Sequence, residues 1–149
     1  MKGLTYTILL IFFASLFFSS CKKLDGIGIA PGFDSGPHLF THEIKDTILI
    51  SKNNIKWSLD RITVDGIDDY ILEKNNHLKY YRKEANPNSD SNLGEIYKIE
   101  NNWFVIEKMD DKHIHVLLKE NNVEKERTFT ITCFAGNANT KITVIQKNK

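Results

Sequence analysis

The stretch RTFTITCFAGNANTKITVIQ, residues 127–146, decides the fold class. Phe129, Ile131 and Cys133 alternate with threonines before a Gly-Asn-Ala-Asn segment, and apolar residues alternate with other residues again after it. Alternation with abundant Thr, Ile and Val is typical of a β-strand with one buried face, and a Gly-Asn-rich segment between two such runs indicates a turn. The stretch therefore predicts two strands joined by a tight turn, with the Cys133 thiol on the inner face.

The same period of two continues toward the N-terminus. Ile114, Val116 and Leu118 alternate with His113, His115 and Leu117, and in the segment HEIKDTILI, residues 42–50, three isoleucines fall on one side. We expect that side to face the core. Because each half-buried sheet needs a second layer to cover it, the pattern predicts an all-β sandwich. The three isoleucines of this segment are Ile44, Ile48 and Ile50.

Composition restricts the class of protein further. The chain has 149 residues, of which 41% are hydrophobic and 26% charged, as in an ordinary single globular domain. Its formal net charge of +1 gives no chain-wide electrostatic footprint for nucleic acid, so no nucleic-acid partner is expected. Two cysteines exclude a disulfide framework.

The N-terminus is predicted to be a secretory signal. Met1-Lys2-Gly3 is a short basic start, the run Leu4–Phe18 is almost wholly apolar, and small residues follow. This order is typical of a signal peptide over residues 1–20, and the apolar run is shorter than the roughly 20 residues that span a bilayer.

The end of this signal, Phe18-Ser19-Ser20-Cys21, resembles the lipobox of bacterial lipoproteins. The resemblance implies cleavage before Cys21 and acylation of that cysteine, with palmitate or a similar chain. Two or more acyl chains anchor a protein stably to a membrane surface. The expected partner is thus a membrane, held by the lipid, and the expected location is the cell envelope, at either the surface or the periplasmic face of the outer membrane.

Residues 21–38 are predicted to be a flexible tether, and residues 39–149 the folded domain. Glycines recur through the first stretch, and Pro31 and Pro37 interrupt any continuous helix or central strand. Residues 65–102 depart most from regular alternation, so we expect binding loops there.

The C-terminal third resembles a BACON-type domain, a family named as Bacteroidetes-associated and carbohydrate-binding. The resemblance is carried by WFVIEK (103–108), IHVLLKEN (114–121) and residues 126–146. It implies an Ig-like β-sandwich in a surface lipoprotein of a Bacteroidetes-type bacterium. It also implies contact with glycan or mucin, or a role in spacing other modules from the cell. The matching positions are Trp103, Asn121, Arg127, Gly136 and Gln146, with Trp57 as an earlier tryptophan of the same kind.

The expected function is glycan binding by a non-catalytic module. Exposed aromatic side chains stack on sugars or anchor protein partners, and the candidate ligand-binding residues are Tyr80, Tyr81, Trp57 and Trp103. The alternative is a protein-interaction or spacer module of a cell-envelope assembly. Two or three aromatic residues along a shallow groove favour the first, and an apolar patch with a polar rim favours the second.

The remaining chemistry-bearing residues predict no enzyme. No nucleophile elbow or phosphate-binding glycine loop is present, and Cys133 is expected to be a buried, inert thiol. His113 and His115 share a strand face but lack a third ligand placed by spacing, so no metal is expected. The three carboxylates of residues 65–69 are expected to be solvated charges in a turn, and no cofactor is predicted.

Overall fold

The protein is described by a computed structural model over residues 28–69, 77–84 and 94–149. The signal peptide and Cys21 lie outside these described residues. Within the described ranges, no helix has the length and apolar character needed to cross a membrane. The strands are β1 His38–Phe40, β2 Lys45–Ile50, β3 Ser58–Val64, β4 Ile67–Asp68, β5 Lys79–Arg82, β6 Ile96–Glu100, β7 Phe104–Lys108, β8 His113–Leu118, β9 Arg127–Ala135 and β10 Ala138–Gln146.

The strands form two five-stranded sheets that enclose one core. The first sheet has the order β1-β10-β9-β3-β4 and the second the order β2-β8-β7-β6-β5. The neighbours β10-β9-β3 correspond to strands G, F and C of an immunoglobulin-type sandwich, and β2-β8-β7 to strands B, E and D. The prediction of an all-β sandwich is therefore confirmed, and the short strands β5 and β6 extend the second sheet at one edge.

Two-residue turns fix the register of the first sheet. Ala135 pairs with Ala138 across Gly136-Asn137, and Gly136 has a φ of 62°. Between β3 and β4, Asp65 and Gly66 have φ angles of 49° and 81°. Positive φ at both central residues is the type I′ turn that Asp-Gly favours, because its twist matches that of the strands. The turn expected over residues 65–69 covers Asp65-Gly66 alone, since Ile67 and Asp68 form β4. The expectation that its carboxylates are simply solvated was wrong: the Asp65 carboxylate accepts a hydrogen bond from the Thr128 N–H at 2.8 Å, and Asp68 and Asp69 accept bonds from Thr63 and Tyr80.

Aromatic rings fill the space between the sheets. The ring of Phe104 lies 4.9 Å from that of Trp103 and 4.7 Å from that of Phe129. At the other end of the core, Phe33 contacts Trp57 edge to face at 5.3 Å. Tilted and edge-on arrangements at these separations are favourable for aromatic pairs. The core thus joins residues of both sheets with a residue that precedes the first strand.

The position of Phe33 moves the domain boundary that we predicted at residue 39. Phe33 is buried in the core, the Pro31 carbonyl accepts a hydrogen bond from Thr140 Oγ1 at 2.6 Å, and the Gly32 N–H donates to Ser51 and Asn53 side chains. Residues 28–38 therefore lie on the sandwich and are not a free tether. The sequence pattern missed this because the segment packs without forming a long strand.

The inner face of β2 is the opposite of the one that we predicted. Ile48 and Ile50 are 47% and 61% exposed, whereas Leu49 between them is 8% exposed and belongs to the core. The strand lies at the edge of the second sheet, where β8 is its one partner among the described strands and Leu49 lies opposite Ile114. A shift of one residue exchanges the two faces of a strand. In the observed pairing with β8, the face that includes Leu49 points toward the core.

The predicted burial of Cys133 is confirmed, and it gives a direct test of the β9 register. The side chain is 0% exposed, and burial raises the pKa of the Cys133 thiol to about 12. Because the thiolate is the reactive form, we expect slow labelling by a thiol reagent at pH 8 in the folded protein and fast labelling in denaturant. A Cys21→Ala chain leaves Cys133 as its only thiol for this measurement. Equal rates in both conditions would contradict the inward placement.

Candidate functional site

The structure separates the four aromatic residues that we predicted as ligand-binding candidates. Trp57 and Trp103 are 2% and 6% exposed, so neither can present a ring face to a ligand at the surface. Tyr80 and Tyr81 lie on β5 and are both partly exposed. Neighbouring residues of a strand point to opposite faces of the sheet. The side chains of the two tyrosines therefore project from opposite faces of the second sheet.

The two tryptophans are anchors of the sandwich. Trp57 Nε1 donates a hydrogen bond to the Asp111 carbonyl at 2.8 Å, and the Lys108 ammonium lies 4.8 Å from the centre of its ring. The Arg127 guanidinium lies 5.6 Å from the centre of the Trp103 ring. A cation over a buried indole covers its remaining face. The burial of both rings disfavours direct stacking of a ligand on either tryptophan, because the protein itself covers most of each ring.

Tyr80 points inward and Tyr81 points outward. The Tyr80 ring packs against the core, and its hydroxyl donates to Asp69 Oδ2 at 3.2 Å. Tyr81 pairs across the sheet with Lys98 of β6, on the face that is not covered by the first sheet. Of the four predicted residues, Tyr81 thus remains the candidate for stacking on a ligand.

Tyr81 belongs to a group of four side chains that we call the tyrosine patch: Tyr81, Tyr97, Lys98 and Glu100. The Tyr81 hydroxyl donates to Glu100 Oε1 at 2.7 Å, and Lys98 Nζ lies 2.9 Å from Glu100 Oε2. Lys98 Nζ also lies 4.5 Å from the centre of the Tyr81 ring. The second ring, Tyr97, is centred 6.4 Å from the first at an angle of 57°. These contacts hold the Tyr81 ring in one orientation.

The hydrogen bonds of the patch also shift its titration. The bond to Glu100 raises the pKa of Tyr81, while the bonds from Tyr81 and Lys98 lower the pKa of the Glu100 carboxyl. The bond to Glu100 likewise raises the pKa of Lys98. At neutral pH the patch therefore holds a protonated phenol, a carboxylate and an ammonium group. It offers hydrogen-bond donors and acceptors beside two aromatic rings, and no nucleophile.

A polar cleft of about 370 Å³ continues from the patch along the end of the second sheet. It shares Glu100 with the patch, and Lys79, which pairs with Glu100 across the strands, lines it as well. Amide, imidazole and ammonium groups of this kind bind hydroxyl groups by hydrogen bonds. The other lining residues are His77, Asn101, Asn102 and Lys119.

Sequence reasoning found Tyr81 but missed the partners that orient it. Lys98 and Glu100 stand two residues apart on one strand, a spacing that places them on the same face. That signal was readable in EIYKIE, residues 95–100. The pairing of β5 with β6 was not, because it joins residues 79–82 to residues 96–100 across an intervening stretch of irregular composition.

His113 and His115 form separate pairs with carboxylates at the surface. The His115 Nε2 atom lies 2.7 Å from Asp46 Oδ1, and the His113 Nδ1 atom lies 2.9 Å from the Asp110 carboxylate. The bond with His113 lowers the pKa of the Asp110 carboxyl. In the described part of the chain, no three His, Cys, Asp or Glu side chains are grouped closely enough to hold a metal ion.

Comparisons with known proteins support the fold and leave the activity open. No family model matches the chain, and no curated protein matches it. The resemblance to the BACON-type domain thus stays a prediction. An NMR structure of a protein from Bacteroides thetaiotaomicron is similar over 88% of this chain and 98% of that chain, with a TM-score of 0.56 and 15% identity. At this identity the similarity shows a shared β-sandwich architecture alone.

A second solved structure is more distant. It is a Bacteroides ovatus GH5 xyloglucanase in complex with a XXXG heptasaccharide, at a TM-score of 0.39 and 15% identity. The match covers 77% of this chain but only 18% of the enzyme. The strand order of the two sheets defines the class as a two-sheet, all-β sandwich protein.

Proposed function

We propose that the protein is a lipid-anchored envelope protein of a Bacteroidetes-type bacterium whose non-catalytic sandwich binds a glycan at the tyrosine patch. The observation that carries the proposal is the Tyr81 ring, partly exposed and held in place by Glu100 and Lys98. The apolar face of a pyranose stacks on such a ring, and pre-orientation of the ring reduces the entropy lost on binding. The lipobox-like sequence at Cys21 supports the anchor.

The neighbouring polar cleft supports the choice of a glycan over an apolar ligand. A sugar that stacks on Tyr81 would extend its hydroxyl groups toward Glu100 and Lys79, and beyond them toward Asn101 and Asn102. Carboxylate, ammonium and amide groups bind vicinal hydroxyls by paired hydrogen bonds. Lys98 and Glu100 neutralise each other within the patch, and the cleft beside it carries the further ammonium groups of Lys79 and Lys119.

The alternative function is a protein-interaction or spacer module of an envelope assembly. The observation that favours it is a row of exposed isoleucines on the edge strand β2 and immediately before it. Ile44, Ile48 and Ile50 are 69%, 47% and 61% exposed, and an exposed apolar group on a sheet edge is a common feature of protein contacts. This row and the tyrosine patch occupy opposite edges of the second sheet, so the two functions can be tested by separate substitutions.

Replacement of Tyr81 tests the proposed function. We expect Tyr81→Ala to weaken glycan binding by about tenfold, because the stacking surface is lost. Tyr81→Phe is the matched control: it keeps the ring and removes the bond to Glu100, so most of the affinity should remain. Binding of the purified protein to a glycan array and to mucin measures both effects.

The result on the array separates the two functions. If wild-type protein binds sugar and Tyr81→Ala binds equally well, the site is not the tyrosine patch. If wild-type protein binds no glycan but captures an envelope protein, and Ile48→Asp abolishes that capture, the interaction module is the correct function. Melting temperatures of the Tyr81 variants should match that of the wild type, since the ring lies outside the core.

A further inference from the structure

A second cleft lies on the outer face of the first sheet, remote from the tyrosine patch. It has a volume of about 330 Å³ and crosses strands β3, β9 and β10. We call it the threonine cleft and define it by Arg61, Thr130, Thr132, Phe134, Asn139 and Lys141. It combines two cationic side chains with hydroxyl groups, one amide and one aromatic ring.

A β-bulge places the first cation in this cleft. Along β3, Leu59 and Ile62 are buried, so they are three residues apart on the inner face and not two. The register shifts between Leu59 and Arg61, leaving Asp60 as the extra residue. Without this bulge, alternation from Leu59 would turn the Arg61 side chain toward the core. Bulges of this kind redirect a side chain and are frequent beside functional sites.

The pairing of β9 with β3 and β10 places the two cationic side chains, Arg61 and Lys141, on either side of Thr132. Thr132 of β9 pairs with Arg61 of β3 and with Lys141 of β10. Residues paired across neighbouring strands project from the same face of a sheet. One row of the sheet therefore carries a guanidinium, a hydroxyl and an ammonium group in sequence.

These two cations lack partners within the described part of the chain. Neither side chain there forms an ion pair or donates a hydrogen bond to the protein. Lys98 and Lys147, by contrast, lie 2.9 and 2.6 Å from carboxylate oxygens. The carboxylate that lines the threonine cleft, Asp68, accepts a hydrogen bond from Thr63 Oγ1 at 3.5 Å. One net positive charge remains in the cleft, which favours an anionic ligand.

The next row toward the β9–β10 turn supplies an apolar contact. Phe134 pairs with Asn139, and the Phe134 ring is partly exposed at the floor of the cleft. An aromatic face beside an amide suits a sugar ring, whose faces are apolar and whose edge carries hydroxyls. A guanidinium binds a carboxylate or sulfate through two parallel hydrogen bonds.

We infer that the threonine cleft binds an acidic saccharide, with its carboxylate or sulfate group between Arg61 and Lys141 and its ring against Phe134. This site does not depend on the tyrosine patch, which lies on the other sheet.

The test is isothermal titration of the purified protein with a galacturonic acid tetramer, a chondroitin sulfate tetrasaccharide and, as the neutral control, maltotetraose. We expect at least one acidic probe to bind and to lose affinity when salt rises from about 20 to about 200 mM, because the contact is ionic. Arg61→Gln and Lys141→Gln should each weaken that binding by about tenfold. Lys52→Gln, an exposed lysine outside the cleft, is the matched control and should bind as wild type does.

Three results would overturn the inference. The first is an absence of binding by both acidic probes at millimolar concentration, and the second is equal binding of maltotetraose at this site. The third is unchanged affinity in the Arg61→Gln, Lys141→Gln double variant with an unchanged melting temperature. Because Tyr81→Ala leaves the threonine cleft intact, loss of acidic-sugar binding in that variant would also count against it, and would point to the tyrosine patch as the acidic site.

Discussion

Replacing Cys21 with alanine is expected to move the protein from the membrane fraction to the soluble fraction. Two or more acyl chains on Cys21 would supply stable anchoring, and within the described ranges no helix offers a membrane-spanning segment in their place. Fractionation of cells followed by immunodetection measures the distribution, and we expect nearly all of the variant to change fraction. Mass spectrometry of the wild type should show loss of Met1–Ser20 and a gain of acyl mass.

Cys133→Ala is the control for this experiment. It removes the second of the two cysteines and leaves Cys21 in place, so the protein should stay with the membrane. Retention of the Cys21→Ala variant at the membrane would contradict the lipid anchor. An intact mass that still includes Met1–Ser20 would do so as well, because a mature lipoprotein begins at its acylated cysteine.

Truncation of Leu49 is expected to lower the free energy of unfolding by about 2–4 kcal/mol, whereas truncation of its neighbour Ile48 should change it by less than about 0.5 kcal/mol. Leu49 is 8% exposed and Ile48 is 47% exposed. Leu49→Ala leaves a cavity between the sheets, while Ile48→Ala removes atoms that already contact water. Urea unfolding of both variants measures the difference.

The adjacent pair makes this comparison internally controlled. Both substitutions lie on β2, both remove branched aliphatic groups, and both leave the strand's hydrogen bonds to β8 in place. Equal destabilisation by the two variants would show that the edge strand is not fixed in the register described. A larger effect at Ile48 would restore the face assignment that we predicted from the sequence.

Strands β8, β9 and β10 were predictable because the alternation of apolar and polar residues indicates clearly which face of each strand is buried. In β9, threonines separate Phe129, Ile131 and Cys133, and these three are buried as expected. Each of these strands has a neighbour on both sides. Central strands bury one face completely, so selection for the core leaves a clear period of two in the sequence.

Edge strands and the bulged strand were less predictable, and the candidate sites lie there. On β2 the run Ile48-Leu49-Ile50 is apolar on both faces, so alternation alone cannot say which face is buried. On β3 the sequence SLDRITV places apolar residues three apart, and only pairing with β9 shows that a bulge at Asp60 turns Arg61 outward. Tyr81 was found by residue type, but its orientation depends on Glu100 of another strand.

The sequence by itself determined the fold class, the inner faces of the central strands, the burial of Cys133 and the turns at Gly136 and Asp65-Gly66. These properties follow from local periodicity and from backbone angles that particular residues favour, so a short window contains them. The tertiary structure alone decided the face of β2, the docking of residues 28–38 on the sandwich, and the grouping of side chains in both clefts. Those properties depend on pairing between segments far apart in the chain, where packing energy selects one register among several that the local sequence allows.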